Sequence, residues 1–173
     1  MLRLVAVASI LVATGGYLQQ PAYDLLIVGG SVIDGTGSPA RRADVAVKDG
    51  RIAAIGVLSG RSARETIDAA GLIVAPGFID VHTHADRIWE RPRAENFVRM
   101  GVTSIVAGNC GGSADDIGAA LARATQTPAS VNFATLVGHN TVRRAVMGTE
   151  NRDPTIGELA KMKTLVWKGM ADG

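Results

Sequence analysis

The chain has 173 residues, 47% of them hydrophobic and 20% charged, with one cysteine and a formal net charge of +2. These values fit a folded globular protein. They exclude a disulfide framework, a collagenous or disordered chain, and the concentrated basic surface that nucleic-acid binding needs. Three histidines, His82, His84 and His139, cap the number of imidazole ligands any metal centre can draw on.

Residues 1–16 carry Arg3, an apolar run over 4–13 and then small residues up to Gly16. That order is the order of a secretory signal peptide, so export to a periplasm or out of the cell is expected. An extra N-terminal strand or a misplaced start codon are the other readings. The run is too short for a membrane span, which takes roughly 20 apolar residues. Residues 22–75 read as a small β unit. Strands are expected over 23–28, closed by Gly29-Gly30, and over 31–34, followed by a loop at 35–39. Strands 44–48 and 51–55 flank Asp49-Gly50, a strong hairpin signal because a type I′ turn needs positive φ twice. A further strand pair, 66–69 and 72–75, surrounds Ala70-Gly71. Nothing in this stretch has a chemical character.

At Pro76-Gly77 the pattern changes. Residues 78–84 read as a strand with Phe78, Asp80, His82 and His84 on one face and Ile79, Val81 and Thr83 on the other. A helical stretch over 93–100 stops at Gly101, and a strand over 102–107 runs into the loop Gly108-Asn109-Cys110-Gly111-Gly112. Ser113 and Asp116 resemble a capping box for a helix reaching about Thr125. A third strand, 130–137, ends in Gly138-His139-Asn140, and 141–147 makes one or two helical turns. Thr155 and Glu158 cap a last helix to about Lys168. Alternating strands and helices predict an α/β fold with a parallel sheet and chemistry at the carboxyl ends of its strands.

The polar residues of interest fall at those ends. His82 and His84 close the first strand, Cys110 follows the second and His139 the third. Neutral imidazole and thiolate both bind zinc, at roughly 2.0–2.1 Å and 2.3 Å, and a coordinated thiol is deprotonated outright. Each residue also has a plainer reading. Cys110 can be a small buried hydrophobe, although the glycines around it imply a close backbone approach. His139 can satisfy loop carbonyls. Asp80 either orients a metal-bound imidazole by a hydrogen bond or packs internally. Asp86 and Arg87 belong to the same loop or are solvated charges.

Several segments together resemble the amidohydrolase superfamily. They are Tyr23-Asp24-Leu25-Leu26-Ile27-Val28-Gly29-Gly30, Val32-Ile33-Asp34-Gly35-Thr36-Gly37, Asp49-Gly50-Arg51-Ile52 and Ala75-Pro76-Gly77-Phe78-Ile79-Asp80-Val81-His82-Thr83-His84. More narrowly, Asn96-Phe97-Val98-Arg99-Met100-Gly101-Val102-Thr103, Gly108-Asn109-Cys110-Gly111 and Leu136-Val137-Gly138-His139 resemble its D-aminoacylase (N-acyl-D-amino-acid deacylase) branch. The resemblance implies a small β-sandwich, its N-terminal part at 22–75, followed from residue 76 by the first three βα units of a (β/α)₈ barrel. It implies one or two zinc ions, with His82, His84 and Cys110 as ligands and Asp80 and His139 nearby. It implies hydrolysis of the amide bond of a small N-acyl-D-amino acid by zinc-activated water, to a carboxylate and a D-amino acid, with an aspartate after strand eight moving the proton.

A complete barrel takes about 250 residues. The chain is therefore read as the N-terminal part of a longer enzyme, inactive and poorly soluble or partly unfolded by itself because three parallel strands leave open edges. A cyclic-amide hydrolase of the dihydropyrimidinase or dihydroorotase kind is the enzymatic alternative. A truncated relative that at most binds a metal is the non-catalytic one.

Overall fold

The computed structural model describes residues 21–173, which form two units, 21–76 and 77–173. The expected signal segment, 1–16, lies outside the described residues.

The first unit holds β1 (Tyr23–Val32), β2 (Arg41–Lys48), β3 (Arg51–Gly56), β4 (Ala63–Asp68) and β5 (Ile73–Val74). They form one sheet in the order β3-β2-β1-β4, with β5 also on β1. The strands expected on either side of Gly29-Gly30 are a single strand. Gly29 takes φ 73°, and the β1–β2 register shifts between Ile27 and Gly30. A glycine in the left-handed region absorbs an extra residue as a bulge without ending the strand. Asp44 holds the bulge by accepting the Gly29 N–H at 2.9 Å and takes the Leu58 N–H with its other oxygen at 2.9 Å. These two backbone hydrogen bonds pull its carboxyl below the ordinary carboxylate range.

The Asp49-Gly50 hairpin forms as expected, both residues at positive φ (51° and 70°). The strands around Ala70-Gly71 form as well, but they do not pair with each other. Both run parallel to β1, β4 beside Tyr23 to Val28 and β5 beside Ser31 and Val32. The Ala69 N–H donates to Val28 O, and the Leu72 N–H closes a turn on Ala69 O. The chain thus sidesteps and continues in the same direction. Leu26, Val32, Ala43, Val45 and Ala46 are the buried apolar residues of these strands.

The second unit carries β6 (Phe78–Asp80), β7 (Val102–Ala107) and β8 (Asn132–Thr135) in a parallel sheet of order β6-β7-β8. Its helices are α1 (Glu95–Val98), α2 (Ile117–Gln126), α3 (His139–Met147) and α4 (Ile156–Ala171), with a 3₁₀ turn at Ile88–Glu90. The result is an α/β fold, as the alternating pattern predicts. Ile88, Ala94, Val102, Ile105 and Val131 form its core, with Trp89 and Phe133 packed edge to face at 6.2 Å beside it. A second cluster, Val142, Met147 and Met162, joins α3 to α4. Among the described residues no helix is long and apolar enough to cross a membrane.

Three expectations need correction here. β6 ends at Asp80 rather than at His84, because the Asp80 carboxylate accepts the His82 N–H at 3.1 Å and removes that donor from the ladder. The helix expected over 93–100 shrinks to Glu95–Val98, since Ala94 is left-handed (φ 45°) and the preceding residues cannot be helical with it. α2 is capped by Asp116, which accepts the Ala119 N–H at 2.9 Å, and not by Ser113. The Ser113 hydroxyl is occupied, accepting the Gly138 N–H and donating to Ala114 O. The capping box of Thr155 and Glu158 on α4 forms as expected. The Arg152 guanidinium and the Thr155 N–H hold the Glu158 carboxyl far below its usual range.

Candidate metal centre

The carboxyl ends of β6 and β7 bring three donors together. His82 and His84 follow β6, and Cys110 sits in the loop after β7. Their ligand atoms all lie within 4.8 Å of one another. His82 Nε2 is 3.2 Å from Cys110 Sγ, a hydrogen-bond contact, and the two imidazole rings stand 5.8 Å apart at 62°. All three residues are exposed to solvent. Strand alternation does not deliver this geometry, since His82 and His84 lie beyond the last ladder residue of β6. The segment is held by Thr83 instead, a buried residue whose N–H and hydroxyl both donate to Val106 O at 3.0 Å.

Cys110 faces the histidines because its own backbone is left-handed (φ 56°), an uncommon conformation for a residue with a Cβ. The surrounding loop supports it at several points. Asp86 accepts the Gly108 N–H at 2.9 Å, and the Asn109 side-chain amide donates to Val106 O at 2.9 Å and to Thr83 O at 3.3 Å. Gly111 O accepts the N–H groups of Asn140 and Thr141, the first free donors of α3, whose N-cap Gly138 has no side chain to offer. Glycine is required where these loops meet. A Cβ on Gly108 would stand 2.5 Å from Leu136 O, and one on Gly138 would stand 2.5 Å from Gly111 O.

Two imidazoles and a thiol form a donor set suited to zinc, and tetrahedral ligation at the usual bond lengths places ligand atoms about 3.5 Å apart. The observed spacing meets that requirement with small side-chain adjustments, so the residues fit the ion. The remaining sequence candidates divide. The Asp80 carboxylate takes the His82 backbone N–H and sits one residue from the trio without joining it. His139 opens α3, one residue ahead of the expected loop end, and its Nδ1 lies 3.4 Å from Asn140 Oδ1, outside the trio. Arg87 is an exposed charge paired with Glu90 at 2.5 Å, whereas Asp86 is part of the loop support. Beside His84 a cleft of about 480 Å³ is lined by Arg87, Arg91, Asn96 and Phe97. Asn109 escaped the sequence reading, and its position immediately before the cysteine was the available signal.

An α/β unit presenting a His-x-His pair and a neighbouring cysteine at the carboxyl ends of parallel strands is an amidohydrolase arrangement. The sequence profile of the amidohydrolase family matches residues 65–170, and the chain belongs to that family. Within it, the chain is 42% identical over 175 residues to a D-aminoacylase of Alcaligenes xylosoxydans xylosoxydans, covering 87% of this chain and 36% of that protein. It is likewise 42% identical over 176 residues to an N-acyl-D-glutamate deacylase of the same organism, covering 88% of this chain and 35% of the relative. Among solved structures, the N-acyl-D-glutamate deacylase of Bordetella bronchiseptica, complexed with zinc and a phosphonate mimic of the tetrahedral intermediate, superposes with a TM-score of 0.81 at 39% identity, over 86% of this chain and 36% of that one. A D-aminoacylase crystal structure gives 0.82 at 38% identity, over 87% and 37%. The chain thus spans little more than a third of the length of these relatives.

Proposed function

We propose that these residues carry one side of the zinc centre of an enzyme that hydrolyses the amide bond of N-acyl-D-amino acids, releasing a carboxylate and a D-amino acid. The convergence of His82, His84 and Cys110 supports the reading most directly, because a cysteine in this position is the feature that the deacylase resemblance turns on. Likeness to three deacylases of one organism, at 38–42% identity, supports the substrate class. In the same reading residues 22–75 contribute to a β-sandwich, and β6 to β8 with their helices are the first βα units of a barrel. Export through residues 1–16 belongs to it too, supported by their order of charged, apolar and small residues.

Zinc bound at this centre would supply Lewis acidity for the amide carbonyl and lower the pKa of water. The contribution of the chain itself is orientation. His82 and His84 present two neutral donors from one segment, and Cys110 presents a charge-compensating third from the next. The cleft beside His84 carries Arg87, already paired with the Glu90 carboxylate that lines the same cleft, and the guanidinium of Arg91. Arg91 is the group there that favours a carboxylate-bearing substrate.

The test is hydrolysis by the protein encoded by the complete reading frame. N-acetyl-D-amino acids should be cleaved and their L enantiomers spared. A local likeness to allantoinase, 51% identical over 63 residues, favours a cyclic-ureide substrate as the second reading. Turnover of a cyclic ureide, with none of N-acetyl-D-amino acids, would replace the first reading with the second.

A further inference from the structure

We propose that Asp86 and Asn109 are positioning residues of the metal centre. Together they strap the His82-Thr83-His84 segment to the Cys110 loop, so that the thiol and imidazoles converge before any ion binds. The inference rests on the metal reading of the trio and deepens it.

Three links across the gap between the two loops carry the argument. Thr83, the residue between the two histidines, is anchored on its amide side, where its N–H and hydroxyl both reach Val106 O. On its carbonyl side Thr83 O accepts from Asn109 Nδ2, and the same amide group reaches back to Val106 O. One side chain therefore connects the middle of the histidine segment to the end of β7, immediately before the cysteine. The third link runs the other way. Asp86, two residues past His84, accepts the Gly108 N–H, two residues before Cys110. The carboxylate and the amide are each half-buried, and neither is among the three convergent donors.

This strap bears on geometry that would otherwise not persist. Cys110 occupies a left-handed backbone conformation, which is unfavourable for a residue with a Cβ and holds only when its surroundings impose it. The Gly111 end of the loop is fixed by the N–H groups at the start of α3. The Gly108 end is fixed by Asp86, with Leu136 backbone against it. Releasing either Asp86 or Asn109 frees Cys110 to relax away from His82. The two histidines stay together, because Thr83 keeps its own bonds to Val106 O.

Cobalt(II) titration of the 173-residue chain reads this out, since thiolate-to-cobalt charge transfer reports the cysteine and the visible ligand-field bands report the whole donor set. Asp86→Ala and Asn109→Asp are expected to weaken cobalt binding by about tenfold or more and to diminish the charge-transfer band more than the visible bands. Asp86→Asn retains an acceptor for the Gly108 N–H and is expected to bind like the unaltered chain. Circular dichroism that matches across the variants shows that the fold is retained. Amide exchange at Gly108, slow in the unaltered chain and fast in Asp86→Ala, reports the strap without metal. Binding by Asp86→Ala and Asn109→Asp equal to the unaltered chain overturns this assignment alone. So does equal weakening by Asp86→Asn and Asp86→Ala, which would make the effect one of charge. Failure to bind cobalt by the unaltered chain, with circular dichroism showing it folded, overturns the metal reading and the strap with it.

Discussion

The two units use glycine for opposite ends, and the contrast explains where the chemistry lies. In residues 21–76 the turn glycines punctuate; Gly30, whose Cβ would stand 2.5 Å from Val74 Cγ2, is a contact glycine within the sheet. Gly50 turns a hairpin at φ 70° with nothing within 4 Å of where its Cβ would be. In residues 77–173 those at the carboxyl ends of β7 and β8 permit contact. Gly108 and Gly138 let the loops after β7 and β8 touch backbone to backbone, each with a neighbour 2.5 Å from the position of a Cβ. A turn glycine sets direction only. A contact glycine brings together side chains carried by different strands, and a multi-residue site needs that.

Substitutions can break this comparison in order of severity. The largest effect is expected from Cys110→Ala, which removes one of three donors and should abolish the cobalt charge-transfer band outright, with residual binding weakened by two orders of magnitude or thereabouts. Next comes Gly108→Ala, which combines a disfavoured left-handed φ with a backbone clash. It should destabilise the second unit by roughly 3 kcal/mol or more, seen as loss of slow amide exchange in β7 and β8, and should reduce cobalt binding as well. Gly138→Ala isolates the contact alone, because its φ of −76° suits alanine. About 1–3 kcal/mol is expected for it. Gly50→Ala should cost about 1–2 kcal/mol, confined to the first unit, and leave the cobalt spectrum unchanged. A spectral change in Gly50→Ala, or none in Gly108→Ala, would dissolve the distinction between the two kinds of glycine.

The smallest effect sharpens the comparison within the second unit. Thr155→Ala removes the N-cap of α4 and should cost about 1 kcal/mol of helix stability with no change at the metal centre. Glu158 adds a pH signature. Its carboxyl is depressed by Arg152 first and the Thr155 N–H second, so its folded-state pKa lies below its unfolded one. Its contribution is therefore present above about pH 4.5, the ordinary carboxylate value, and fades as the pH falls below it. Glu158→Gln should flatten that dependence of α4 exchange at acid pH.

Much of this was legible in the residues. The Asp49-Gly50 turn and the Thr155–Glu158 box are local devices whose geometry a few side chains dictate, and both form. The parallel order of β6 to β8 follows from their helical connections. The three donors His82, His84 and Cys110 are brought together, though by a different route from simple strand alternation. What escaped depended on competition between local bonds. Asp80 had an acceptor to offer the His82 amide, which ended the strand early. Ser113 had a better partner in the Gly138 N–H than in its own helix, and the cap passed to Asp116. β4 and β5 followed β1 rather than each other, because the bonds of Ala69 and Leu72 made a sidestep where a reversal was expected. The Ser113 and Ala69 outcomes are decided by groups distant in sequence, Gly138 and Val28, as is the role of Asn109 through Thr83.

The most direct test of the central claim is X-ray absorption at the zinc edge of the zinc-loaded 173-residue chain. One zinc per chain is expected, with a single sulfur at about 2.3 Å and two imidazole nitrogens near 2.0–2.1 Å. A shell of nitrogen and oxygen alone, or no stoichiometric zinc in a chain that circular dichroism shows to be folded, would contradict the assignment of His82, His84 and Cys110 to one metal centre.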